Sequence, residues 1–250
     1  MRGSVRPIPS TRRLIIDMMG ASEPLAVVKR TMKLDRLATA WGSRADHPGW
    51  AAMVAKAYCI VARDEPLLRT FYLKWPWPRF YELPKSIAMI AVNRDDIGRD
   101  LLVFLKLGTA DEMSLEDLQA IVLRSKNAPI AQTRSLERLL RLSRLPFPLR
   151  KLLIFVGRNV GRQRANFFGT VAISSVAALG ADILLTQAPG PSLITYGRLQ
   201  PDHTMELLLH WDHRIYDGTL VARSLQRLEQ VLNTEIADEL LADACRSGSA

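Results

Sequence analysis

The sequence predicts an α/β layered fold in which helices cover a largely buried sheet. Short apolar runs rich in β-branched residues alternate along the chain with longer segments whose apolar residues repeat at helical spacing. The 250 residues, 48% hydrophobic and 24% charged, have an ordinary globular composition and can bury a substantial core without disulfides. We therefore expect a single domain that spans residues 1–250.

The first half of the chain supplies three predicted helices and three predicted strands. The helix at 114–125 opens with Ser114, followed three residues later by Asp117, which is a capping pattern. The run at 86–92 is apolar throughout, as in a strand buried on both faces. The predicted helices are 11–22, 47–63 and 114–125, and the predicted strands are 27–34, 86–92 and 101–107.

A basic insert at about 129–166 carries nearly all of the excess charge. It holds nine basic residues and one acid, Glu137, and so accounts for +8 of the net charge of +9. A helix is predicted at 133–145, with arginines on one face and leucines on another. The basic residues are Arg134, Arg138, Arg141, Arg144, Arg150, Lys151, Arg158, Arg162 and Arg164.

Four interpretations of this basic insert stay open. It forms a solvated amphipathic covering of the sheet, binds the phosphates of CoA, or docks on an anionic membrane with Phe147 and Leu152 to Val156 buried at the interface. Binding of a nucleic acid is supported by the positive charge alone, since the basic insert contains no recognised nucleic-acid-binding motif. The stretch KWPWPRFYE at 74–82 has two interpretations, a wall of a substrate channel or a rigid packed loop.

Several classes of protein are not supported by the composition. Cys59 and Cys245 make neither a disulfide framework nor a metal-ligand spacing, and the N-terminus has no apolar signal region. The longest apolar stretch, 171–185, is interrupted and shorter than the roughly 20 residues that span a bilayer. We expect a cytoplasmic protein, with peripheral membrane association as the alternative.

In the last third of the chain, the sequence predicts strands at 167–176, 193–196 and 204–211 and an amphipathic helix at 219–233. Between the last strand and this helix lies HWDHRIYDG, residues 210–218. His213 is either a hydrogen-bonded corner residue or a catalytic group, and Asp217 stands where it could cap the helix. Gly218 permits a backbone shape or a close approach that a Cβ would prevent. A metal site is disfavoured, because His210 and His213 would face opposite ways on a continuing strand.

The segment Asp212 to Gly218 resembles the Asp-His-Arg-x-x-Asp-Gly motif of the 2-oxoacid dehydrogenase dihydrolipoyl acyltransferases, which is shared more loosely with chloramphenicol acetyltransferase. STRRLIIDMMGAS resembles the opening helix of that family, and FFGTVAISS resembles its Gly-Thr-x-x-Ile-Ser strand. The resemblance covers nearly the whole chain and implies a two-layer α/β sandwich of mixed sheet and helices.

This resemblance implies an acyltransferase that moves an acyl group between CoA and a thiol or hydroxyl acceptor. His213 would be the general base, since an imidazole titrates near neutrality. Ser174 would donate a hydrogen bond to the tetrahedral oxyanion. Asp217 would be structural and pair with Arg12 or Arg13. CoA or acyl-CoA would be a co-substrate, with no metal.

The resemblance also implies a homotrimer whose active sites lie between subunits, with assembly into a larger cage left open. Family members carry lipoyl and subunit-binding domains, which this sequence lacks, so the acyl donor would be acyl-CoA or a separate lipoyl-domain protein. Two other functions stay open. One is a non-catalytic trimer or cage scaffold that keeps the fold, and the other is a membrane-associated lipid acyltransferase.

Overall fold

A mixed six-stranded sheet forms the centre of the fold. The computed structural model describes residues 3–8, 25–43, 47–94, 101–127, 146–184 and 190–247. The predicted helices at 11–22 and 133–145 lie outside the described residues and stay predictions. The predicted α/β layering is confirmed, because helices pack on the large sheet along one face.

Nine strands build two sheets in the described residues. The large sheet has the order β2-β9-β8-β7-β5-β6, and a small three-stranded sheet has the order β1-β4-β3. The strands β7 and β8 run parallel, whereas β9 pairs antiparallel with both β2 and β8. The strands are β1 Ser4–Arg6, β2 Leu25–Lys33, β3 Thr70–Leu73, β4 Arg79–Glu82, β5 Ile87–Arg94, β6 Leu101–Gly108, β7 Val171–Ser174, β8 Ser192–Tyr196 and β9 Thr204–Asp212.

Seven α-helices are found in the same residues, together with short 3₁₀ turns and one π-turn at Leu232–Ile236. They are α1 Asp35–Gly42, α2 Trp50–Asp64, α3 Leu115–Asn127, α4 Phe147–Asn159, α5 Gly161–Phe168, α6 Gly218–Val231 and α7 Ala237–Ser247.

The two faces of the large sheet are buried in different ways. Leu207, Leu209 and Trp211 alternate along β9 and join a large core with α2 and α6. The helix α2 is buried at every position from Ala52 to Ala62, because it lies between the sheet and other helices. A smaller core forms on the other face, where β3, β4 and α5 pack over residues such as Leu193.

The strand predicted at 167–176 begins later than expected, at Val171. Phe167 and Phe168 instead end α5, which Gly169 terminates with a φ of +66°. This left-handed conformation suits glycine, and a Cβ here would also lie 2.7 Å from the Ile87 carbonyl oxygen. The break between helix and strand is therefore set by one glycine.

The KWPWP stretch forms the connection of the β3–β4 hairpin. Trp75 and Trp77 are 57% and 63% exposed, whereas Phe80 and Tyr81 are buried, so the channel-wall and packed-loop interpretations both stay predictions. The basic insert is not uniformly solvated, because Arg164 on α5 is buried and donates to the Tyr72 carbonyl oxygen at 2.9 Å. Within the described residues, no helix is long and apolar enough to cross a membrane.

The predicted cap at the start of α3 is present, and it generates a stability prediction. Ser114 Oγ accepts the Asp117 backbone N–H at 3.0 Å and lies 2.7 Å from a carboxylate oxygen of Asp117. We expect Ser114→Ala to lower the free energy of unfolding by about 1 kcal/mol, because an N–H of the first turn loses its acceptor. Urea denaturation measures this change. Ser4→Ala, on an exposed edge strand, is the control and should change it by less than about 0.5 kcal/mol.

Candidate active site

His213 lies in a tight turn between the end of β9 and the start of α6. Its ring centroid is 5.5 Å from that of Trp211, which belongs to the large core. The side chain remains 30% exposed. The imidazole is therefore held against a rigid wall on one side while its remaining surface can reach a second molecule.

A buried ion pair shapes this turn from both sides of His213. Arg214 donates from Nε and Nη2 to the two carboxylate oxygens of Asp212, at 2.8 and 2.7 Å. The backbone N–H of Arg214 donates to the same carboxylate at 3.1 Å. The Arg214 guanidinium also lies over the Tyr72 ring, 4.5 Å from its centroid. Because residues 212 and 214 are locked together, the backbone at 213 has little freedom.

Three buried hydroxyl groups support the second half of the turn. Ser192 Oγ lies 2.7 Å from the Tyr216 hydroxyl and accepts the Tyr58 hydroxyl at 3.0 Å. Burial raises the pKa of both tyrosines, so they stay protonated and hydrogen-bonded across the physiological range. Trp211 Nε1 donates to the Tyr216 carbonyl oxygen at 2.9 Å, which ties the turn back onto β9.

Asp217 lies beside His213 rather than serving as a helix cap. Its carboxylate oxygen is 3.7 Å from His213 Nδ1, and its side chain makes no capping hydrogen bond with α6. The capping interpretation is therefore wrong. The 3.7 Å separation is longer than a hydrogen bond, so the contact between the two side chains is electrostatic. Arg12 and Arg13 lie outside the described residues, so their pairing with Asp217 stays a prediction.

The surroundings of Gly218 leave room for a side chain, contrary to the expectation from the sequence. A Cβ at this position would meet only Trp211 Cζ2, at 4.0 Å. The backbone φ of Gly218 is not in the left-handed region. Within the described part of this chain, neither backbone shape nor crowding requires glycine there. The expectation that a Cβ would be excluded is wrong for the chain by itself.

Ser174 lies far from His213 in the same chain. Ser174 pairs in register with Thr195 on β8, which pairs with Leu208 on β9, five residues before His213. Two strand spacings and five residues separate them by about 10 Å across the sheet and about 17 Å along it. The Ser174 hydroxyl makes no hydrogen bond within the described residues, whereas Ser175 donates to the Tyr196 carbonyl oxygen at 2.7 Å.

The other candidates from the sequence are buried structural groups. His210 is fully buried, and this burial lowers the pKa of its imidazole, so it is neutral and packed inside the sheet. Burial raises the pKa of the Cys59 thiol well above its ordinary value, which makes this thiol a poor nucleophile. No cluster of potential metal ligands is found in the residues that the structure describes.

A groove of about 570 Å³ lies next to the turn, between the end of α2 and the first turns of α6. Tyr216 and Asp217 form its border on the side of the turn. Its charged side chains have both signs, since Asp64, Glu65, Asp217, Arg223 and Arg227 all line it. This mixed lining does not by itself favour an anionic ligand.

Comparison with known proteins places this geometry in a recognised fold. No family model and no curated protein matches the sequence. Among solved structures, a probable dihydrolipoamide acetyltransferase from Listeria monocytogenes matches with a TM-score of 0.60 at 17% identity, covering 91% of this chain and 93% of its own. A chloramphenicol acetyltransferase matches with a TM-score of 0.54 at 11% identity, covering 92% of this chain and 100% of its own.

The dihydrolipoamide acetyltransferase of Azotobacter vinelandii is a further match, with a TM-score of 0.58 at 17% identity and 95% coverage of both chains. It was studied for the roles of a serine, a histidine and an asparagine in its catalytic mechanism. These structures confirm that the chain has the chloramphenicol acetyltransferase-like fold, which is also that of the 2-oxoacid dehydrogenase acyltransferase core.

The Asp212–Arg214 pair was not assigned a role from the sequence, and it generates a stability prediction. Asp212→Ala should lower the free energy of unfolding by about 3–5 kcal/mol, because it leaves a buried guanidinium without its counter-charge. Urea denaturation of Asp212→Ala, Arg214→Met and the double variant measures the coupling between the two residues. The double variant should recover part of the loss.

The control for this cycle is the ion pair between Lys29 and Glu206, whose side chains are 52% and 45% exposed. Its loss in Glu206→Ala should cost at most about 1 kcal/mol, since solvent screens exposed charges. Equal costs for the exposed and the buried pair would contradict the assigned role of Asp212 and Arg214.

Proposed function

We propose that this chain is a CoA-dependent acyltransferase and that residues 1–250 act as one catalytic unit. The observation that carries the proposal is the placement of His213. Its imidazole is partly exposed, lies on a turn fixed by a buried ion pair, and has a carboxylate 3.7 Å from Nδ1. A turn held this rigidly is what a positioned general base requires.

The proposed reaction passes an acyl group from the thioester of acyl-CoA to a thiol or hydroxyl acceptor. His213 Nε2 takes the acceptor proton while the acceptor sulfur or oxygen attacks the carbonyl carbon. The resulting oxyanion receives a hydrogen bond from the Ser174 hydroxyl. The intermediate then collapses, the carbon–sulfur bond to CoA breaks, and His213 returns the proton to the departing CoA sulfur.

The comparisons support the proposed roles of Asp217 and Ser174 by the position and type of the residues. In the Azotobacter protein the asparagine stands four residues after the histidine, and Asp217 stands four residues after His213 here. An aspartate adds a negative charge beside the imidazole, which stabilises the imidazolium formed during the reaction. Ser174 is our candidate for the serine role, because its hydroxyl makes no other hydrogen bond in the described residues.

The distance between Ser174 and His213 supports an active site formed between subunits. A serine and a histidine about 19 Å apart, by strand geometry, cannot act on one carbonyl group. If each subunit supplies its histidine to one neighbour and its serine to the other, every interface completes a site. We propose a cyclic homotrimer of this kind. The room at Gly218 would then serve a neighbouring subunit or a substrate.

The first functional prediction concerns the two proposed catalytic groups. His213→Ala should lower kcat by about 10²–10⁴-fold, because it removes the general base. Ser174→Ala should lower kcat by about 10²–10³-fold, because it removes an oxyanion donor. Acylated product is quantified by mass spectrometry with acetyl-CoA and longer acyl-CoAs, against dihydrolipoamide and a panel of alcohols.

The matched control is Ser175→Ala, one residue further along the chain. Its hydroxyl is engaged with the Tyr196 carbonyl oxygen and is not assigned to catalysis, so kcat should change by less than about threefold. Full activity of His213→Ala would refute the mechanism. Absence of transfer from every donor by the folded wild-type trimer would favour a non-catalytic scaffold.

A second functional prediction tests the intersubunit site directly. His213→Ala and Ser174→Ala chains, each inactive alone, should regain activity when they are dissociated, mixed and reassembled, because some interfaces then receive an intact histidine and an intact serine. Random mixing of equal amounts restores about one quarter of the wild-type sites, since each intact group is present at half of its positions. Failure to regain activity in confirmed mixed trimers would place the two residues in separate sites.

A further inference from the structure

The helix α4 and the tip of the β3–β4 hairpin form one exposed apolar surface, here called the α4–hairpin surface. Its apolar side chains are between 39% and 63% exposed, although large apolar side chains are ordinarily buried. They are Trp75, Trp77, Leu149, Leu152, Leu153, Ile154, Phe155, Val156, Val160 and Phe167.

Two apolar contacts link the hairpin and α5 to α4. The rings of Trp75 and Phe155 meet edge to face with centroids 5.5 Å apart, which links the hairpin to α4. Phe167 lies 3.5 Å from the position that a Cβ of Gly157 would occupy, which links α4 to the end of α5. Arg79 stacks 5.4 Å from the Trp77 ring centroid and donates to the Asn159 carbonyl oxygen at 3.4 Å.

The helix α5, which follows α4 and packs against it, is braced against the core. Arg164 on α5 is buried and donates to the Tyr72 carbonyl oxygen, two strand positions from the start of the hairpin connection. Ala165 beside it packs into the smaller core with Phe71.

The charged residues within the segments that form the surface have a single sign. Lys74, Arg158 and Arg162 are exposed at its border, and Arg79 is half-buried within it. No acid occurs between Glu137 and Asp182, or between Glu65 and Glu82. Exposed apolar side chains with cations beside them match the interface of an anionic bilayer. Acyl chains there receive the apolar side chains, and phosphate groups receive the cations.

Other occupants match this surface less well. A symmetric contact between two copies would bring the cations of both copies together without an acid to compensate. A nucleic acid would pair with the cations but would leave ten exposed apolar side chains facing phosphates and sugars. A membrane-spanning role is excluded by length, because thirteen residues of α4 reach about 20 Å and the hydrocarbon core is about 30 Å thick.

We propose that the α4–hairpin surface docks on anionic lipid bilayers, with α4 lying in the plane of the interface. This proposal is independent of acyl transfer, because none of the residues involved belongs to the proposed site. The tryptophans insert at the headgroup level, and the leucines and Phe155 enter the acyl boundary. Lys74, Arg158 and Arg162 contact the lipid phosphates.

The test is flotation of the full chain with vesicles of phosphatidylcholine alone or of phosphatidylcholine with phosphatidylglycerol. The protein should float with the anionic vesicles and bind less as salt rises, since salt screens exposed charges. Arg158→Gln with Arg162→Gln should weaken binding by at least about tenfold. Leu152→Ser with Phe155→Ser should weaken it to a similar extent, because it removes apolar area from the interface.

Matched controls lie elsewhere on the surface of the protein. Leu179→Ser with Leu184→Ser removes two side chains that are 86% and 63% exposed. Arg63→Gln with Lys33→Gln removes two exposed charges outside the surface. Both controls should leave vesicle binding within about twofold of the wild type. Circular dichroism confirms that each variant is folded.

A second measurement, tryptophan fluorescence, detects the docking of the wild-type protein directly and does not depend on a variant that loses binding. Addition of anionic vesicles should shift the tryptophan emission of the wild type to shorter wavelength, and Trp75→Phe with Trp77→Phe should abolish this shift. Absence of vesicle binding, or equal binding by wild type and both surface variants, would overturn the proposal. Surface variants that change the sedimentation coefficient instead would assign the surface to a second copy. Oligonucleotide binding without vesicle binding would assign it to nucleic acid.

Discussion

The position of His213 depends on the buried ion pair between Asp212 and Arg214. Two side-chain hydrogen bonds and one backbone hydrogen bond converge on a single carboxylate, so the residue between them is held from both sides. The pair forms where β9 leaves the sheet, and β9 itself is fixed by ladders to two neighbours. Burial makes the pair costly to form and more costly to break. The high cost of breaking the pair suits a turn that must hold one geometry.

The same turn is joined to the basic insert through one residue of β3. Tyr72 receives the Arg214 guanidinium over its ring and accepts a hydrogen bond from Arg164 at its carbonyl oxygen. Both arginines are almost completely buried, and each has its charge placed against aromatic or carbonyl groups. The proposed catalytic turn and the α4–hairpin surface are therefore attached to the same strand from different sides.

The elements that the sequence predicted well are those with a strong local signal. The strand β9 begins with alternating half-buried and buried residues and continues as a buried run, α6 has a clear apolar face, and Ser114 with Asp117 specifies the start of α3. The hairpin of β3 and β4 was missed, because its prolines and tryptophans obscure the strand pattern. The helix α4 was not predicted, because its central run at 152–156 is wholly apolar and its cations, Arg150, Lys151 and Arg158, lie only near its two ends.

Within the candidate site, the residues of the His213 motif could be recognised, but their contacts could not. The pairing of Asp212 with Arg214 has only a weak local signal, two opposite charges two residues apart. The roles of Tyr58 and Ser192 could not be found from spacing, since they lie 158 and 24 residues from Tyr216 along the chain. Such contacts arise from the sheet order, which brings β8 and α2 beside the turn.

The separation of Ser174 on β7 from His213 beyond β9, with β8 between the two strands, has a further consequence for mixtures of chains. In the proposed ring, each chain contributes a histidine to one interface and a serine to another, so no chain owns a complete site. One chain defective in both groups would disable two of the three sites in its ring, although it is only one third of the protein. In an equal mixture of normal and doubly defective chains, about one quarter of the sites would therefore be intact, although half of the chains are normal.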